Sequence, residues 1–166
     1  MSKNVLVITT SLRKGENSEI LADKFIRGAT VSNNNVEKIN LIGKSIAFCR
    51  GCLSCQKTQR CVIQDDTIAL AEKILNTDVV VFATPIYYYE MSRQMKTLLD
   101  RCNPIFPSDY TFRDVYLLAT AADEEPKSVN GAVKCLPLVS IGLLHNHTPH
   151  AAVNRRNCTN AKQTHR

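Results

Sequence analysis

The stretch Asp78–Tyr89, DVVVFATPIYYY, limits the fold more than any other part of the chain. Val79 to Ala83 is apolar without alternation and dominated by valine. A short run with apolar residues on both faces suits a parallel strand covered on each side by helices. Its β-branched content, and Pro85 just beyond, disfavour a helix. The run ends in Thr84, Pro85 and Ile86, followed by three consecutive tyrosines, Tyr87, Tyr88 and Tyr89. In an open α/β sheet, ligands sit outside the carboxyl ends of the strands. Aromatic residues there offer flat faces and hydroxyls to a flat, partly polar ligand. A tyrosine-rich turn packing on its own helix is the plainer alternative.

Taken in order, the rest of the chain alternates. Asn4–Thr10, NVLVITT, reads as the first strand, and Leu21, Ala22, Phe25, Ile26 and Ala29 recur at helical spacing after it. Asn17 or Ser18 suits the N-cap, with Glu19 in the first turn and Gly28 as the stop. The intervening loop leads from a strand to a helix N-terminus, where free amides and the helix dipole can hold an anion. The hydroxyls of Ser11 and Ser18 and the guanidinium of Arg13 add charge-assisted donors. The glycine patterns of the two common nucleotide loops, GxGxxG and GxxxxGK(S/T), are missing.

Val36–Leu41 is a second strand, and Gly43–Cys61 is an irregular excursion with four cysteines. Asp65 and Asp66 cap a helix over Ile68–Asn76, and a further helix occupies Ser92–Cys102 with Met95, Leu98, Leu99 and Cys102 inward. Asn103–Phe112 is a loop, Val115–Thr120 a fourth strand, and Ala121–Ser128 a small polar loop. This alternation predicts an α/β fold, a doubly wound parallel sheet in three α/β/α layers. A strand order of 2-1-3-4 brings Ser11–Ser18 and Thr84–Tyr89 to one switch point, and that convergence favours the ligand reading.

The 166 residues suit one domain with a full core. No stretch reaches the ~20 apolar residues needed to span a membrane. Met1-Ser2-Lys3 runs directly into the first strand, which predicts no signal peptide and a cytoplasmic setting. Seven cysteines in that compartment point to metal, cluster or thiol chemistry rather than a disulfide framework. The net charge of +6 is no nucleic-acid signal, because Met1–Glu125 holds 15 basic and 15 acidic residues. All of the excess lies in Pro126–Arg166, together with His145, His147, His150 and His165. Residues 1–144 therefore read as the folded domain, with Leu138–Leu144 as a weak fifth strand closing the order 2-1-3-4-5. Residues 145–166 read as a basic, disordered or aberrant tail.

TTSLRKGENSEIL resembles the phosphate loop of the flavodoxin-like NADPH-dependent FMN reductases, a Gly-Ser-x-Arg-x-x-Gly-Asn-Ser/Thr pattern. Ser11, Arg13, Asn17 and Ser18 fall on matching positions, while Thr10 and Glu16 stand where the pattern has glycine and Gly15 lies one place early. TPIYYYEMSRQMKTLLDR is similar to the family's segment against the isoalloxazine ring. The resemblance, from about Lys3 to Lys134, implies a flavodoxin-like fold and a cofactor site of Ser11, Leu12, Arg13, Asn17, Ser18, Thr84, Pro85, Ile86, Tyr87, Tyr88, Tyr89, Thr120 and Ala121. It implies FMN as cofactor and NAD(P)H as electron donor, with the chemistry carried by the flavin and no catalytic side chain. A small-molecule acceptor or redox protein would be the partner, and a homo-oligomer is expected.

FCRGCLSCQKTQRCVIQDD, with its C-x2-C-x2-C-x5-C spacing, is similar to the cysteine motif of iron-sulfur flavoproteins. That resemblance implies a [4Fe-4S] cluster on Cys49, Cys52, Cys55 and Cys61. Zinc and four free thiols are the alternatives, although structural zinc usually draws two separated CxxC pairs. Cys102 reads as a core residue. The expected function is an FMN-dependent oxidoreductase, of the flavin or quinone reductase type or an iron-sulfur flavoprotein. A non-enzymatic flavodoxin-like electron carrier is the alternative.

Overall fold

The computed structural model describes residues 1–105, 108–109, 111–123, 125–135 and 150–155, the last stretch as backbone alone. Strand β1 (Asn4–Thr9) has β2 (Asn35–Asn40) on one side and β3 (Val79–Tyr87) on the other, all parallel. β3 in turn pairs with a short antiparallel β4 (Glu90–Met91) and with parallel β5 (Asp114–Ala121). A last parallel strand, β6 (His150–Arg155), completes the order β2-β1-β3-β5-β6, with β4 off the path. This is the expected doubly wound sheet.

The valine run does what its pattern demands. Val80 and Phe82 face one core with Leu6, Ile8 and Leu117, beneath α3 (Thr67–Leu75) and α4 (Arg93–Asp100). Val79 and Val81 face the other with Val5, Val7 and Leu118, beneath Ala22, Phe25 and Ile26 of α1 (Asn17–Val31). Full burial of each such side chain contributes about 1.5–3 kcal/mol.

Three details depart from the expected boundaries. Helix α1 runs through Gly28, which has no positive φ, and ends in a Schellman motif. Asn33 takes the left-handed turn at φ 60°, its N–H bonding Thr30 O and that of Asn34 bonding Ala29 O. The N-cap of α1 is Glu16, so Asn17 and Ser18 are already helical. The run Thr84–Tyr89 is not a plain loop. β3 continues to Tyr87, and the chain reverses through Tyr88 and Tyr89 at φ 49° and 65°. Bulky side chains in left-handed backbone cost about 1–2 kcal/mol each, so packing around the hairpin must hold them there. Gly131 supplies part of that packing, since a Cβ on it would lie 2.3 Å from Tyr89 O.

The sheet's far edge is formed by His150–Arg155, within the stretch expected to lack structure. Its register runs from Tyr116↔His150 to Ala121↔Arg155, and backbone pairing to the edge of β5 needs no hydrophobic periodicity. The anticipated fifth strand at Leu138–Leu144 lies outside the described residues.

Candidate functional site

Beyond the carboxyl ends of β1, β3 and β5 opens a cleft of about 180 Å³. Its walls are Ser11, Leu12, Arg13, Glu16, Asn17 and Ser18 from the first loop, Pro85, Ile86 and Tyr87 from the end of β3, and Thr120, Ala121 and Ala122 after β5. The two sequence stretches thus meet across one cleft. Thr84, Tyr88 and Tyr89 do not line it: Thr84 is fully buried beneath, and Tyr88 is wholly exposed at the hairpin tip. The extension of β3 to Tyr87 carries Tyr88 and Tyr89 past the cleft into the turn, while Thr84 bonds Thr10 beneath it.

The cleft floor is held by hydroxyls. Ser18 and Thr120, both buried, place their oxygens 2.5 Å apart across the base of the cleft. Ser11 Oγ donates to Arg13 O at 2.8 Å and folds the loop back on itself. Glu19 accepts the Gly15 N–H at 2.6 Å and pairs with Lys38 at 3.2 Å, so it clamps the outer arm of the loop. The Gly15 bond and Lys38 together hold the Glu19 carboxyl below its ordinary range. No side chain caps the first turn of α1, which leaves its amides available to an anion in the cleft. Arg13, exposed on the rim, adds a cation.

Across the protein surface, the cysteine loop wraps around the short helix α2 (Ser54–Thr58). Leu53 and Gln59, both with positive φ, flank that helix, and Gly51 turns the chain before it at φ 66°. Cys55 is buried on α2, Cys61 is half-buried, and Cys49 and Cys52 are exposed. Burial and then the neighbouring sulfur of Cys61 push the Cys55 thiol up, with smaller effects from Cys52 and Cys49. Amide donors already serve two sulfurs: Gly51 N–H reaches Cys49 Sγ at 3.4 Å, and Ser54 lowers the Cys52 pKa by hydrogen bonding. Among the described residues no three metal-ligating side chains converge closely enough to hold an ion. The donor set, four thiols disposed around Cys55 on one loop, suits a cluster chemically.

The stems of this loop are joined by a buried ion pair. Arg101, at the end of α4, donates Nη1–H to Asp65 Oδ2 at 2.7 Å and Nη2–H to Asp65 Oδ1 at 3.1 Å. Burial would raise the Asp65 pKa, but Arg101, the Ala47 amide and Thr67 overcome it and hold the carboxyl well below the usual carboxylate range.

Residues 3–133 match the family model for NADPH-dependent FMN reductase. The chain belongs to that family. An iron-sulfur flavoprotein of Archaeoglobus fulgidus is 35% identical over 97 residues, covering 58% of this chain and 44% of its own. This FMN reductase family member thus spans less than half the length of that curated relative. Solved structures share the fold. An NAD(P)H:quinone oxidoreductase from Methanothermobacter marburgensis superposes with TM-score 0.73 at 14% identity, over 98% of this chain and 90% of its own. An FMN-dependent NADH-azoreductase of Bacillus anthracis in complex with FMN gives 0.64 at 14% identity, over 92% and 87%. No helix among the described residues is long and apolar enough to cross a membrane.

Several contributors in this family member escape sequence reading. Thr10 and Ser92 join Thr84, already expected at the site, in a buried hydroxyl cluster beneath it, and of these two only Ser92 carries a signal, as the N-cap whose oxygen accepts from the Met95 amide. Glu16 and Ala122 carry none beyond being polar or small in a loop, and Glu19 reads only as an acidic residue in the first turn of α1.

Proposed function

We propose that the chain is an FMN-dependent oxidoreductase that takes electrons from NAD(P)H through FMN held in the cleft. The observation that carries this is the meeting of the Ser11–Ser18 loop, the uncapped N-terminus of α1 and the Pro85–Tyr87 wall at one cleft. Ser11, Arg13, Asn17 and Ser18 would bind the phosphate, with the amides at the start of α1. Leu12, Pro85, Ile86 and Tyr87 would flank the ring, and Thr120 and Ala121 its polar edge. Tyr88 and Tyr89 would cover the ring only from outside the cleft as it stands, and Thr84 acts from beneath by fixing Pro85. When bound, the flavin supplies hydride acceptance at N5 and one- or two-electron transfer. The chain orients it, shields one face and leaves the other to the donor.

Cys49, Cys52, Cys55 and Cys61 would hold a cluster that receives single electrons from the flavin, with zinc as the competing occupant. The iron-sulfur flavoprotein among the relatives favours the cluster. The reading takes the flavin-binding unit past residue 144, because β6 (His150–Arg155) belongs to its sheet, and a small-molecule acceptor or redox protein as the partner. It places a homo-oligomer in the cytoplasm and involves no nucleic acid.

FMN added to the purified chain should lose its fluorescence and raise the melting temperature. NADPH should then be oxidised steadily with a quinone or ferric acceptor. Quenching without turnover, with reduction only by a partner protein, would make the chain an electron carrier. The absence of both quenching and a melting shift at saturating FMN would sink the flavoprotein reading.

A further inference from the structure

Arg101 is spent almost entirely on the cysteine loop. Its side chain is 1% exposed. A guanidinium has five N–H donors. Nη1 uses its two on Ala47 O and Asp65 Oδ2, each at 2.7 Å, and Nη2 uses its two on Asp65 Oδ1 and Ile63 O. Ala47 leads into the loop and Ile63 and Asp65 lead out of it, so one side chain ties both stems. Asp65 Oδ2 also accepts the Ala47 N–H at 2.9 Å, which closes the knot.

The fifth donor has nowhere to go. Arg101 Nε is buried and lacks a hydrogen-bond partner. Leaving a buried charged donor unmade is costly, and such groups in native proteins call for an explanation. Arg101 and Cys61 line the same cavity, of about 510 Å³. Burial works against the Arg101 charge, and Asp65 and then Cys61 favour it.

We propose that Arg101 is a positioning residue of the cysteine loop, pinning its two stems and keeping its Nε–H for the sulfur of Cys61. This rests on reading the loop as the holder of a metal cluster. N–H donors to ligand sulfurs orient the ligand and tune the site, and losing such a partner typically weakens metal binding ~10–100-fold. A lysine at this position retains one cation opposite Asp65 but has neither the fork nor Nε.

The test is anaerobic reconstitution of the full chain with ferrous iron and sulfide. The wild type should take up about four irons. R101K, checked as folded by unchanged FMN uptake, should bind iron ~10–100-fold more weakly, and any cluster formed should have a lower reduction potential. Wild-type affinity and potential in R101K would overturn the proposal. If the wild type itself takes up no iron, the cluster reading fails while Arg101 stays testable. The wild-type Arg101 Nε–H resonance then decides, as it does should R101K fail to fold: it should shift in C61S, and a fixed resonance refutes the contact.

Discussion

Thr10 and Ser92 are 82 residues apart in sequence, yet their hydroxyl oxygens lie 2.7 Å apart in the core beneath the cleft. Ser92 Oγ donates to Thr10, Thr10 Oγ1 donates to Thr84 at 3.1 Å, and Thr84 Oγ1 donates to Pro85 O at 3.0 Å. The relay starts at the N-cap of α4 and ends on the backbone of the cleft wall. It ties the end of β1 to the end of β3 at the point where the two loops diverge.

Ser92→Ala removes the cap on α4 and takes from Thr10 the donor at the head of the relay. Loss of a cap costs about 0.5–2 kcal/mol, and an unsatisfied buried hydroxyl about 1–3 kcal/mol. A fall in urea stability of ~2 kcal/mol is expected, with weaker FMN uptake as Pro85 loosens. Unchanged stability would show that the relay is not cooperative.

Arg13 and Tyr88 separate the residues that line the cleft from those that merely stand near it. Arg13→Ala should weaken FMN binding by about 1.5–3 kcal/mol, the range for a hydrogen bond to a charged group. Tyr88→Ser should change affinity little, because the side chain is wholly exposed and outside the cleft. Equal losses in the two variants, by fluorescence titration, would mean that the hairpin folds over the ligand.

The layers of the fold were legible because burial on both faces leaves an unbroken valine run, and Val79–Ala83 allowed little else. The cleft wall at Ser11, Arg13 and Ser18 was legible because polar side chains between a strand and a helix imply ligand or solvent. The tyrosine hairpin was not legible. Tyr88 and Tyr89 occupy backbone that favours glycine or asparagine, so no turn signal marks them, and the contact that bears on them comes from Gly131, over 40 residues away. Arg101 was equally hidden. Its pattern reads as the polar end of an amphipathic helix, and only tertiary structure turns it onto Asp65.

The Asp65–Arg101 pair predicts an acid-sensitive loop. The folded-state pKa of Asp65 is depressed, so its stabilisation is complete above the unfolded value of about 3.9 and is lost as pH falls below it. Urea midpoints of the wild type should therefore drop on acidification from about pH 5 to 3. D65N, which leaves Arg101 buried without a counter-charge, should be less stable by about 3–5 kcal/mol at neutral pH and show a shallower acid slope. Parallel slopes in the two proteins would mean that another carboxylate dominates.

Cys102 lies in the turn just after α4, 5% exposed, where loss of solvent pushes its thiol up to about 12. Thiolate is the reactive form, so this cysteine has neither the charge nor the access to react at neutral pH. Cys49 and Cys52, exposed on the loop, have the access, and hydrogen bonding from Ser54 lowers the Cys52 pKa. In the metal-free native chain at about pH 7.5, iodoacetamide should label Cys49 and Cys52 within minutes and spare Cys102 until the protein is unfolded. Protection of the loop cysteines after iron loading, with Cys102 unchanged throughout, would localise the metal to the loop. Rapid native labelling of Cys102 would instead show that α4 opens, and with it the Arg101 anchor at its end.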